Sequence, residues 1–221
     1  MIAQELHPRI IENKDWATAL FILSIALVVV AKSLFENRFN DFVRLIVSDK
    51  YFKIYKESNH LLSGFNVLLF LVNLISLSFF IELALCAFLN LPKTDWILFV
   101  QIFTGLTVFI LSKFLIEKII ANIFNVEELV ELFNLQKVNF RTYLGLLLLP
   151  ITVVLYYGNF ATKTLFIVII SILLFVNLLT YFFSLKIYQN ILFSKLFYFI
   201  LYLCALEIAP YYFIYYLIRK N

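Results

Sequence analysis

Charge is scarce in this chain. Only 14% of its 221 residues are Asp, Glu, Lys or Arg, against about 25% in an ordinary soluble domain. Histidine occurs twice, and His7 and His60 lie outside every apolar run, so no H-E-x-x-H metalloprotease site exists. The two cysteines, Cys86 and Cys204, sit inside apolar segments without metal-ligand spacing and read as small core residues. With four glycines in the chain there is little material for a phosphate cradle, and neither a P-loop nor a G-x-S-x-G elbow is present. These absences argue against an enzyme and predict neither cofactor nor metal.

What is present is apolar surface. Hydrophobic residues make up 63% of the chain, more than a core of this size absorbs, and they fall in segments that are apolar on all sides. A transmembrane β-barrel would alternate in polarity, whereas the run from Val67 to Phe80 does not. The fold class expected is all-α: a single polytopic membrane domain over 1–221, with about six transmembrane helices and amphipathic cytoplasmic loop helices. The spans run roughly over 16–35, 61–89, 96–116, 142–157, 164–184 and 196–218. All but the fourth are long enough to cross about 30 Å at 1.5 Å per residue. The fourth is short and contains Pro150, and is read as a short span with local thinning rather than a re-entrant half-helix. The connections after the first and third spans are long and the others are tight, with no internal repeat. The N-terminal MIAQELHPRIIENKDW has acidic residues and no basic leader, so the first helix is expected to be retained.

Basic residues give an orientation. Twelve Lys and Arg fall in or beside the loops after spans one, three and five, and six on the opposite side. The positive-inside rule then puts those loops in the cytoplasm and both termini outside. Trp16, Trp96, Tyr156, Tyr157 and the tyrosines from 211 to 216 would form an aromatic layer at the outer interface. In a membrane protein the net charge of +4 reports orientation, so no nucleic-acid partner is implied.

Several segments could carry function. In ENRFNDFVRLIVSDKYFKIYKESNH, Phe39, Phe42, Val43 and Ile46 recur at helical spacing, marking an amphipathic helix that lies on the inner leaflet or docks a partner. The loop after span three has Asn125 and Glu128 as a variant capping box, followed by an apolar stripe. Its polar face carries Glu127, Glu128 and Glu131, which anionic lipid would repel, so a protein contact or packing on the base of the membrane domain is expected. Glu207 lies about 16 Å into the last span, near the bilayer midplane. Pro210, three residues on, leaves the carbonyl of Leu206 without its helical donor. That pair is either a structural acid bonding a neighbouring helix or a proton or cation site. Asn66 with Asn73, Gln101 with Ser112, and Asn177 with Ser184 form polar stripes that read as interhelical hydrogen-bonding seams. Glu82 is expected near the outer surface and wet. Lys32 and Lys113, near inner helix ends, are expected to snorkel.

The stretches HPRIIENKDW at 7–16 and KSLFENRFNDFVRLIVSDKY at 32–51 resemble an uncharacterised family of small polytopic bacterial inner-membrane proteins, a domain of unknown function. The resemblance implies a location, the cytoplasmic membrane of a bacterium with an outer membrane, and no activity. The function expected is a non-enzymatic membrane subunit whose partners are the lipid bilayer and other membrane proteins. The alternative is a small proton- or cation-linked transporter using Glu207 and Pro210.

Overall fold

The computed structural model describes residues 14–43, 63–89, 96–123, 127–158 and 162–187; the side chains of 128–133 and 181–187 lie outside that description. Six helices account for nearly all of it: α1 (Asp15–Leu34), α2 (Glu36–Val43), α3 (Gly64–Leu89), α4 (Trp96–Ile123), α5 (Glu127–Tyr157) and α6 (Lys163–Ile187). There is no strand among the described residues. All except α2 are long and apolar enough to cross a membrane, and the chain is a helical membrane protein. The expected span at 196–218 lies outside the described residues.

The bundle is organised around α3, which contacts α1, α4, α5 and α6, most extensively α5. Over its most apolar stretch 61% of α3 is buried, against 11% for α4 and 6% for α6. The central α3 and the peripheral α6 are equally apolar, so it is packing rather than hydropathy that distinguishes them. On the outer helices, large apolar side chains such as Ile22, Val108, Ile119 and Phe175 point away from the chain, as lipid-facing residues do.

Two ends of the bundle differ in chemistry. At one, Phe79 of α3 stacks 4.3 Å from Phe21 and lies 4.4 Å from Phe99, ring centre to ring centre. Trp16 sits on Phe79 and meets Trp96 edge-on at 5.1 Å. The start of α1, the start of α4 and the end of α5 therefore share one level, as the aromatic layer expected from Trp16, Trp96 and Tyr157 requires; the tyrosines from 211 to 216 lie outside the described residues. Trp96 and Tyr157 are exposed, as a belt requires, but Tyr156 is buried and belongs to the core.

At the other end, α1 breaks at the single residue Phe35 and the chain re-enters helix as α2. This segment is the predicted amphipathic helix, with a different role for its apolar face. Phe42 is fully buried, packed against Phe65 of α3 and Tyr143 of α5, and Phe39 meets the same Phe65 ring. Phe42 is thus covered by the chain's own base and presents nothing to lipid or to a partner; Ile46 lies outside the described residues.

The fourth span also differs. The segment at 142–157 is the second half of one continuous 31-residue helix that begins at Glu127, so the separate loop helix and the short span merge. The polar stretch from Asn134 to Thr142 is accommodated because its amides face inward: Asn134, Gln136, Asn139 and Thr142 are buried. Pro150 falls inside the helix, which runs on to Tyr157 with the carbonyl of Leu146 lacking its usual donor.

Candidate functional site

At the charged end, α3, α4 and α5 enclose a cleft of about 140 Å³. Each helix places side chains there by simple periodicity. On α4, Lys113 and Glu117 are four residues apart and share a face with Ile110 and Phe114. On α5, Asn134, Lys137, Val138 and Arg141 follow the three- and four-residue steps of one stripe. The first turns of α3 supply Asn66, Val67 and Phe70.

An ion-pair cluster forms the floor. Lys137 Nζ lies 3.4 Å from Glu117 Oε1, and Lys113 Nζ lies 4.0 Å from the same oxygen. Lys113 and Glu117 are both buried, and so is Asn134 beside them. Arg141, half-buried, makes no ion pair among the described residues. Among the described residues, three cations line the cleft against one carboxylate. On the far side of Asn66, Arg38 of α2 donates a long hydrogen bond, 3.5 Å, to its Oδ1 and lies 5.1 Å above the Phe65 ring, which fixes α2 beside the cleft.

The position of these groups along the bundle follows from helix rise. Lys113 is about 26 Å along α4 from Trp96, and Lys137 and Arg141 are about 30 and 24 Å along α5 from Tyr157. Measured from the aromatic end, all three sit about one hydrocarbon thickness away. Chemically the cleft can hold an anion. Among the described residues no three of His, Cys, Asp and Glu come together as a metal site would require.

The other positions singled out by sequence are scattered. Asn73 is buried at the α3–α5 contact, where a Cβ built on Gly145 would lie 2.9 Å from Asn73 Cβ and closer still to its Cγ and Oδ1. The amide occupies the space that Gly145 leaves, and among the described residues its Oδ1 accepts no hydrogen bond. Of the expected seam on α3, Asn73 is held by close packing, whereas Asn66 accepts the hydrogen bond from Arg38 of α2. Gln101 and Ser112 face outward from α4, and Asn177 faces outward from α6 and returns its amide to the carbonyl of Leu173 at 3.0 Å. Gln101, Ser112 and Asn177 therefore line no internal seam among the described residues, and the side chain of Ser184 lies outside the description. Glu127 is exposed at the start of α5, and the side chains of Glu128 and Glu131 lie outside the description. Glu207 and Pro210 are outside the described residues.

Two charged residues are placed otherwise than the sequence suggests. Glu82 is fully buried rather than wet: it lies about 10 Å inside the end of α3, where neighbouring helices cover this stretch of the central helix. Lys113 does not snorkel, since α4 continues to Ile123 and the lysine turns inward to Glu117. The cluster had a sequence signal, the Lys113-x3-Glu117 pair together with Asn134, Lys137 and Arg141 at helical spacing. The polar composition of 134–141, which resembles a loop, hides it.

No curated protein and no solved structure matches the chain. The family model described as domain of unknown function DUF4271 matches residues 17–218. That match covers nearly the whole sequence, and the chain belongs to this family.

Proposed function

We propose that this protein is a non-enzymatic accessory subunit of the bacterial cytoplasmic membrane that binds a transmembrane helix of another protein along the outward face of α4. The observation that carries the reading is Gly105. It lies about 14 Å along α4 from Trp96, deep in the apolar region, and a Cβ added there would meet nothing within 4 Å. Gln101, Thr104, Val108 and Ser112 share its stripe and are exposed. Among the described residues, the Gln101 side chain has no hydrogen-bond partner.

Lipid offers no donors or acceptors to such a stripe, whereas small residues around a glycine let a second helix approach closely and bond to the amide. Asn177, the other outward amide, needs no such partner because it is bonded to its own helix. The exposed Glu127 marks a second contact of opposite character at the far end of the molecule, suited to a basic partner surface. The excess of basic residues near the charged end supports an orientation with that end in the cytoplasm and both termini outside.

A photoactivatable residue at Gly105, in cells expressing the full chain at native level, tests the reading. The expected product is an adduct with one other membrane protein. That protein should also co-purify in stoichiometric amount, be lost in Gly105→Leu, and be retained in Val29→Leu, a change on the exposed face of α1. Adducts only with lipid or within the chain, or capture that Gly105→Leu leaves intact, would overturn it and favour the carrier reading built on Glu207 and Pro210.

A further inference from the structure

The cleft at the charged end matches an amphiphile better than it matches a free ion. We propose that it binds the phosphate of an anionic membrane lipid. Lys113, Lys137 and Arg141 surround the phosphate, and Phe70, Ile110 and Phe114 lie beside the upper part of the acyl chains. The proposal is independent of the subunit reading, which rests on another face of α4.

Three observations lead there. The first is charge: among the described residues three cations and one carboxylate line the space, an excess of positive charge that suits an anion. Glu117 sits between the two lysines and holds both side chains in place, 3.4 and 4.0 Å from one of its oxygens. Arg141 adds a planar fork of donors of the kind that grips phosphate oxygens.

The second is depth. By helix rise the three cations stand about 24 to 30 Å from the aromatic layer, the level at which a lipid phosphate of the opposite leaflet lies. A cation at that level is within reach of head groups without leaving the protein.

The third is the mouth. Val67 and Leu111 line the cleft and are themselves 44% and 47% exposed. The rim is therefore apolar and opens on the surface that faces lipid. An inorganic anion would arrive from water and gains nothing from such a rim. A lipid enters sideways from its leaflet, slides its chains along Phe70, Ile110 and Phe114, and leaves its phosphate among the cations. With room for several water-sized groups, the cavity accommodates a head group of modest size.

The full chain is purified in a mild detergent and offered phosphatidylglycerol or phosphatidylcholine of identical acyl chains, and the bound lipid is counted by native mass spectrometry. The expected result is preferential retention of phosphatidylglycerol, unaffected by millimolar inorganic phosphate. Arg141→Gln lowers that retention about fivefold, the effect of one basic residue at a head group, and Arg141→Lys recovers most of it. Equal retention of the two lipids by the unaltered chain overturns the proposal whatever the variants do. So does unchanged retention in a folded Arg141→Gln. Displacement of phosphatidylglycerol by inorganic phosphate reassigns the cleft to a soluble anion and also refutes a lipid site.

Discussion

Two glycines at similar depth in neighbouring helices meet opposite surroundings. Gly145 of α5 and Gly105 of α4 lie about 18 and 14 Å from the aromatic ends of their helices. Against Gly145 the Asn73 side chain is packed so closely that no Cβ fits, whereas beside Gly105 there is only open space. In lipid, where burying apolar surface between helices brings little gain, close approach of backbones and satisfaction of polar groups decide which helices associate. The first glycine has already been used in this way, to seat α5 on the central helix. The second offers the same opportunity on an outer face. A glycine in a membrane helix therefore has to be judged by what stands opposite it.

The sharpest way to break the contrast is to fill both sites. Gly145→Val forces two methyl groups and a Cβ into occupied space, and the loss of folding stability is expected to be about 3 kcal/mol or more. Gly145→Ala should cost about 1–3 kcal/mol. In combination with Asn73→Ala that cost should shrink, because the two closest atoms, Cγ and Oδ1, are gone and only the Cβ contact at 2.9 Å remains. Unfolding in a mild detergent, followed as loss of the monodisperse folded species, measures all three. A fully additive double variant would mean that the two residues do not share the space.

Glu117 tests a third kind of placement, a buried polar group whose role is electrostatic rather than steric. Glu117→Gln leaves Lys113 and Lys137 facing a neutral amide. Because Lys137 is partly exposed, the expected cost is about 2 kcal/mol, below the full penalty for breaking a buried pair. Raising the salt concentration should reduce the difference between this variant and the parent. The smallest effect belongs to Gly105→Leu, which should change the chain's own stability by no more than about 0.5 kcal/mol. Its consequence should appear only in what the protein carries with it through purification.

Helix existence was readable from long apolar runs, and the ends were not. The sequence suggests that the third span stops at Ile116, because Lys113, Glu117 and Lys118 interrupt the hydropathy. In the bundle α4 runs to Ile123, since Lys113 and Glu117 face inward as partners. The polar segment from Asn134 to Arg141 has the composition of a loop, yet its amides and cations are directed at α3 and α4 and the segment is helical. Hydropathy treats each polar residue as a cost, whereas a neighbouring helix converts some of them into contacts. Which helix is central was equally invisible, because α3 and α6 are almost alike in apolarity. That same ignorance misplaced Glu82 in water and Phe42 on an open face, and left the cleft undiscovered although every residue lining it was in view.

The length of α5 has a mechanical consequence. A rod of about 46 Å is much longer than the hydrocarbon it crosses, and a point of close contact, Gly145 against Asn73, lies part way along. From that pivot one arm extends about 27 Å to Glu127 and the other about 18 Å to Tyr157. If the helix stays stiff, a sideways displacement of about 3 Å at the Glu127 end moves the Tyr157 end about 2 Å the other way. Lys137 and Arg141 ride on the longer arm, so the cleft would change width with it. Pro150, five residues beyond the pivot, interrupts the hydrogen-bond ladder of the shorter arm and is where bending concentrates. A push received at Glu127 would then reshape the charged end while leaving the aromatic end comparatively still.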